Sequence, residues 1–212
     1  MKSNKKRAEE VFEILKTLYP DAACSLKFDG DPFKLLIMAR LSAQCTDYRV
    51  NIVSEQLFSK YDSPEKLANA PLPEIEQIIR PCGLFRVKAE SIKKISRIIY
   101  EDFGSSVPSD MDMLLSLPGV GRKIANLIRG DVFGIGGIVA DTHCIRISNR
   151  LGFTLSKNPV IVERDLSKIV PPDAQTTYCH LMVYFGRDIC KAQNPSCDSC
   201  RLKKCGLCNY KK

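Results

Sequence analysis

Residues 110–133 read DMDMLLSLPGVGRKIANLIRGDVF. Asp110 or Ser109 can cap a short helix ending near Leu117, because either side chain accepts from the first free N–H groups. Pro118 stops that helix. Gly119 and Gly121 permit a tight turn and leave the backbone bare. A second helix starts near Gly121, and its unsatisfied N–H groups suit an anion such as a phosphate. The block therefore reads as a helical hairpin that can grip a nucleic-acid backbone without reading bases, since phosphates carry no sequence. Lys123 is misplaced on ordinary grounds, because a helix start disfavours positive charge. The same place suits a lysine that must attack as a neutral amine. The helix dipole and neighbouring Arg122 penalise the ammonium form, and a partly buried pocket would add desolvation.

On both sides of the hairpin the pattern is helical. Apolar residues recur at helical spacing over 8–18, 33–41, 47–60, 73–80, 86–101, 142–151, 160–169 and 174–186. The breaks carry turn chemistry, as at Asp29-Gly30-Asp31-Pro32, Pro81-Cys82-Gly83, Val107-Pro108-Ser109-Asp110 and Pro171-Pro172. Ile135 to Ala140 is the best strand candidate, but its glycines make it a connector. The expectation is an all-α protein. Gly83, Arg86 and Ala89 share the spacing of Gly119, Arg122 and Ala125, which fits either a repeated hairpin unit or chance.

The chain has 212 residues, room for one large domain or two small ones, and 44% hydrophobic residues to bury a core. It carries 32 basic against 24 acidic side chains, a net charge of +8. That balance suits a polyanionic partner or plain solubility. No apolar run approaches the ~18 residues that a membrane span needs. The opening MKSNKKRAEE has no apolar stretch of a secretory signal, so the expected location is the cytoplasm. Ten cysteines in that reducing compartment argue for metal or free thiols over a disulfide framework.

Residues 187–212 hold five of those cysteines, with seven basic and two acidic residues. Cys190, Cys197 and Cys200 are spaced C-x6-C-x2-C, and Cys205 and Cys208 follow. Four such thiolates can enclose one metal centre, either zinc or a [4Fe–4S] cluster. Lys191, Arg201, Lys203 and Lys204 flank it, as a DNA-facing or merely solvated surface. Cys24, Cys45, Cys82, Cys144 and Cys179 read as small core residues. Elsewhere, LSAQCTD (41–47) ends a helix at Gln44 and restarts with Thr46 or Asp47 as cap, leaving Gln44 on an exposed corner. Asp141 reads as the N-cap of a helix that ends before Gly152. His143 reads as a structural histidine near that cap. Leu84, from the residues alone, reads as core.

L-P-G-V-G-R-K-x-A-N resembles the helix–hairpin–helix of the DNA glycosylase superfamily, and its Lys123-bearing form is similar to the endonuclease III family. Leu41-Ser42-Ala43-Gln44, Gly83-Leu84, Val107-Pro108, Val139-Ala140-Asp141-Thr142-His143 and the cysteine tail resemble that family in its order, over roughly residues 8–210. Cys45 stands where a small residue such as alanine is expected. The resemblance implies two lobes: residues 25–135 as a helical domain holding the hairpin (110–133), and residues 1–24 plus 136–212 as a helical iron–sulfur domain. It implies a prokaryotic monomer that binds double-stranded DNA carrying a damaged base or an abasic site. The implied activity is removal of oxidised pyrimidines in base excision repair, with strand cleavage at the abasic site. Lys123 is the implied nucleophile and Asp141 its carboxylate partner. Gln44 and Leu84 are the implied fillers and wedges of the opened duplex. Gly119, Val120, Gly121, Arg122 and His143 are implied to contact DNA.

The family also implies a [4Fe–4S] cluster on Cys190, Cys197 and Cys200. Its fourth cysteine follows after five residues, whereas this chain offers four (Cys205) or seven (Cys208). Leu207-Cys208-Asn209-Tyr210 resembles the family's closing L-C-x-Y and favours Cys208, with Cys205 the alternative. Two other readings compete. A mismatch-specific adenine glycosylase is disfavoured by Lys123 and by the chain's length. A non-catalytic DNA-binding module with a zinc site would be neither coloured by iron nor covalently trapped on DNA.

Overall fold

A computed structural model of the chain describes residues 2–208 and 210. Its helices are α1 (Asn4–Leu18), α2 (Pro32–Leu41), α3 (Asp47–Lys60), α4 (Pro64–Asn69), α5 (Leu72–Ile79), α6 (Phe85–Glu101), α7 (Met111–Ser116), α8 (Arg122–Asp131), α9 (Thr142–Leu151), α10 (Pro159–Ser167), α11 (Gln175–Asp188) and α12 (Arg201–Lys204). Short 3-10 turns lie at Arg80–Cys82 and Pro172–Ala174. No strand occurs among the described residues, and Ile135–Ala140 is an irregular connector. No helix among them is long and apolar enough to cross a membrane.

Local chemistry sets most helix starts. Ser3, Asp31, Thr46, Ser63, Asp110, Asp141 and Asn158 each accept a hydrogen bond from a first-turn N–H. Such caps contribute about 1 kcal/mol apiece. Helices α4 and α12 were not expected, because they are too short to show a 3.6-residue period. The spacing shared by Gly83 and Gly119 is not a repeated hairpin. Helix α6 opens two residues after Gly83, but α8 opens three after Gly119.

The chain divides into two compact units. One spans Ser25–Phe133. Its core is built from Leu35, Leu36 and Leu41 of α2, Val50 and Leu57 of α3, Ile92, Ile95 and Ile99 of α6, and Ala125 and Ile128 of α8. Helix α6 packs on α4 and α5, while α8 packs on α2 and α7. The hairpin therefore rests on the unit's central helices and cannot shift without disturbing the core. The other unit joins the N-terminal stretch through Cys24 to the segment from Gly134 onward. Helix α11 packs on α9 and α1. Val11, Leu15, Ile147, Tyr178, Met182 and Phe185 are fully or almost fully buried there. Each fully buried Leu, Ile or Phe contributes about 1.5–3 kcal/mol of transfer free energy.

Candidate active site and cysteine centre

Asp110 is the cap that opens the hairpin. Its Oδ1 accepts from Asp112 N at 2.9 Å and Met113 N at 3.0 Å. The turn that follows is tied to the helices beneath it. Arg40 Nε donates to Ser91 Oγ at 2.9 Å, and Ser91 Oγ donates to the Pro118 carbonyl at 2.8 Å. Burial pushes the Arg40 pKa below its ordinary value. Gly119 sits over this relay with φ +78°, where a Cβ would overlap Arg40 Nε and stand 3.0 Å from Ser91 Oγ. Both its conformation and its contacts require glycine. Val120 is buried, and its N–H donates to the Leu117 carbonyl at 3.1 Å. Its side chain thus anchors the hairpin.

Gly121 is the N-cap of α8, and no side chain caps that helix. Arg122 and Lys123 follow in the first turn, both exposed. Lys123 is thus not buried by the protein itself.

Four non-glycine residues of this unit have left-handed backbone: Asp29, Gln44, Leu84 and Ser105. Gln44 has φ +54°, and Leu84 has φ +47°. Gln44 is exposed, and Leu84 is 58% exposed. Leu84 is thus a surface residue and not the core leucine that its type alone implies. Left-handed backbone costs an L-residue about 1–2 kcal/mol. Strain of this kind persists only where surroundings enforce it, and it concentrates at functional sites. Helix α2 ends at Leu41, three residues before Gln44. Thr46 is the cap that restarts the chain, accepting from Arg49 N at 3.4 Å.

In the other unit Asp141 caps α9, its Oδ1 accepting from Cys144 N at 2.7 Å. The cap fixes the carboxylate's direction. His143 is half-buried, with Nδ1 3.2 Å from Arg146 Nη2. A guanidinium only donates, so Nδ1 accepts and the imidazole proton sits on Nε2. A Cβ on Gly186 would overlap that ring, so helix α11 approaches closely here.

Cys190, Cys197, Cys200 and Cys208 line one small cavity of about 20 Å³, with Arg150 and Tyr210 also on its wall. Cys205 is exposed and does not line it. Two arginines one turn apart on α9 hold the first cysteine. Arg146 Nη2 donates to the Cys190 carbonyl at 2.9 Å, and Arg150 Nη1 donates to Cys190 Sγ at 3.2 Å. Arg150 also lies over the Tyr210 ring, 4.4 Å from its centroid. Burial pushes the Cys190 thiol up, while Arg150 opposes that shift. Among the described residues no three His, Cys, Asp or Glu side chains converge as a single ion requires. Four cysteines lining one cavity are a donor set that a thiolate-held metal centre could use. Of the remaining cysteines, Cys82, Cys144 and Cys179 are buried as expected, but Cys24 and Cys45 are only half-buried.

Arg40, Ser91, Arg146 and Arg150 were missed from the sequence. The i,i+4 spacing of Arg146 and Arg150 on a helix with a buried face was the available signal for that pair. Nothing local marked Arg40 or Ser91.

The hairpin with its uncapped second helix makes this a helix–hairpin–helix protein. The profile of "HhH-GPD superfamily base excision DNA repair protein" matches residues 37–172, which include the hairpin, Gln44, Leu84 and the Asp141 cap. Endonuclease III of Synechocystis sp. is 46% identical over 204 residues, covering 95% of this chain and 92% of the relative. The fold matches a solved non-covalent endonuclease III–DNA complex with a TM-score of 0.91 at 42% identity, covering 99% of this chain and 96% of that one. A trapped endonuclease III–DNA covalent intermediate matches with the same score and identity, covering 97% of its own chain. The chain belongs to the endonuclease III family.

Proposed function

We propose that this protein is a base-excision DNA glycosylase with lyase activity, removing oxidised pyrimidines from double-stranded DNA as a monomer. The observation that carries the reading is Lys123 in the uncapped first turn of α8, on a hairpin pinned by Arg40 and Ser91. The covalent complex solved for a relative supports a chemistry that passes through a protein–DNA bond.

The hairpin binds first. First-turn N–H groups of α8 donate to a phosphate, with Gly119 and Gly121 allowing close approach and Arg122 adding charge. Base extrusion exposes the glycosidic carbon, at a cost of a few kcal/mol in lost stacking. Gln44 enters the vacated space, where its amide hydrogen-bonds the unpaired partner base, and Leu84 wedges the opposite strand. DNA covering Lys123 removes the water that stabilises its ammonium and so favours the neutral amine. The amine nitrogen bonds to C1′ as the C1′–N bond breaks, and the base leaves with a proton. Opening of the sugar ring gives a protonated Schiff base, which acidifies the 2′ hydrogen. Loss of that proton expels the 3′ phosphate and cuts the strand. Asp141 stabilises positive charge developing on the sugar and helps the amine lose its proton. Its cap role and its chemical role are compatible, since the cap orients the carboxylate. His143 lies beside that cap, where it would contact the DNA.

Cys190, Cys197, Cys200 and Cys208 would hold a [4Fe–4S] cluster. When bound, the cluster supplies four iron–sulfur bonds that tie residues 190–208 together. Exposed Lys191, Arg201, Lys203 and Lys204 then present positive charge on that segment to the DNA backbone.

The test is incubation with a duplex bearing one thymine glycol. Free modified base together with a strand ending in a 3′ unsaturated aldehyde is expected. Base release with an intact abasic strand would refute the lyase half, and no release would refute the whole.

A further inference from the structure

Lysine 88 is the exception on the buried face of α6. Its neighbours there are Ala89, Ile92, Ile95 and Ile99, yet Lys88 is itself only 1% exposed. An ammonium in such a place ordinarily needs a counter-charge. Its hydrogen-bond partners are instead two backbone carbonyls, Leu41 O at 2.8 Å and Cys82 O at 2.8 Å. Leu41 is the last residue of α2, and Cys82 closes the 3-10 turn. Carbonyls at helix C-termini are unsatisfied and carry the negative end of the dipole, so they suit a cation.

The position of the two acceptors is informative. Leu41 lies three residues before Gln44, and Cys82 lies two before Leu84. One ammonium therefore joins the stems of the Gln44 and Leu84 corners, two of the four left-handed non-glycine positions in this unit. Arg49, in the first turn of α3, adds a second strap from Nη1 to the Pro81 carbonyl at 3.2 Å. Packing alone would be served by leucine or methionine on α6, without the cost of burying charge. Burial pushes the Lys88 pKa below its ordinary value, which is the desolvation cost that an apolar residue at this position would avoid.

We infer that Lys88 is a positioning residue for base extrusion, holding the Gln44 and Leu84 corners in one fixed arrangement so that both side chains enter the duplex together. This rests on the reading of those two residues as the ones that fill and wedge the opened duplex. Removing the ammonium leaves each corner free to relax out of left-handed backbone. Insertion then loses its concerted geometry, while chemistry on a strand without a stacked partner is untouched.

The test uses the full-length protein with Lys88→Met, which conserves volume, and Lys88→Gln, whose shorter arm cannot reach both carbonyls. The first readout is fluorescence of 2-aminopurine placed opposite a tetrahydrofuran abasic analogue in a duplex, at saturating protein. The second is single-turnover excision of thymine glycol from a duplex. The third is β-elimination on a single-stranded abasic oligonucleotide, which needs no wedge. Lys88→Met is expected to lose more than half of the fluorescence rise and about tenfold in duplex excision. Single-strand β-elimination is expected to stay within about twofold. Wild-type fluorescence and excision, or equal loss on duplex and single strand, would overturn the inference. Should Lys88→Met fail to fold, Lys88→Gln is read by the same criteria. The double variant Gln44→Ala/Leu84→Ala separates the two layers of reasoning. If it retains wild-type fluorescence and excision, the reading of the corners has failed. If it loses both while the Lys88 variants do not, the role of Lys88 alone has failed.

Discussion

Gly119→Ala tests how firmly the hairpin is pinned. The residue has φ +78°, so any L-side chain there pays about 1–2 kcal/mol in backbone strain. The new Cβ would also overlap Arg40 Nε and crowd Ser91 Oγ at 3.0 Å. Arg40 must move, which breaks its 2.9 Å bond to Ser91 and loosens the 2.8 Å bond to Pro118. Each such bond contributes about 0.5–1.5 kcal/mol. The sum is about 2–5 kcal/mol, which for a chain of this size lowers Tm by about 5–20 °C. Gly121→Ala is the matched control. Nothing lies within 4 Å of its added Cβ, and its φ of −105° is ordinary. As an N-cap change it should cost less than about 1 kcal/mol. Thermal unfolding by circular dichroism, with wild type alongside, reads both. Equal Tm values for the two variants would refute the argument, as would a Gly119→Ala protein melting within about 2 °C of wild type.

Leu84→Asn should raise stability by roughly 1 kcal/mol, because asparagine tolerates left-handed backbone, while lowering excision from duplex DNA. Denaturant melts and excision rates check the two effects, and a variant that loses stability contradicts the strain assigned to this residue. Asp141→Asn keeps an oxygen for the Cys144 N–H and should stay within about 0.5 kcal/mol of wild type, whereas Asp141→Ala should lose about 1 kcal/mol. Both should lose most single-turnover excision, and an active Asp141→Asn enzyme would remove the carboxylate from the chemistry. Cys208→Ala should lower iron per chain and absorbance near 400 nm, while Cys205→Ala should leave both unchanged. The reverse pattern would exchange the fourth ligand.

Much of the helical framework was legible because its punctuation is strong. Asp31-Pro32, Thr46, Asp110 and Asp141 each open a helix where cap chemistry demands one, and Gly152 closes α9 in left-handed backbone. The Gln44 corner was legible for the same reason. Leu84 was not, since leucine carries no mark distinguishing a wedge from core. Its exposure follows from the 3-10 turn that precedes it, which is a tertiary outcome. Lys88 was hidden because a lysine in a helical pattern reads as solvent-facing, and its carbonyl partners come from chain 6 and 47 residues away. Lys123 was found through its anomalous place at a helix start, while its exposure was not legible there. Spacing reports which helix a residue occupies and not how deeply its side chain sits.

The central claim is that the Lys123 amine forms the bond to DNA. Borohydride reduction during reaction with an abasic duplex, followed by peptide mass mapping, measures that bond directly. The account predicts a cross-link mapped to Lys123 in the wild-type chain, and none in Lys123→Met despite retained affinity for the same duplex. A cross-link on another residue, or undiminished trapping by Lys123→Met, would contradict it.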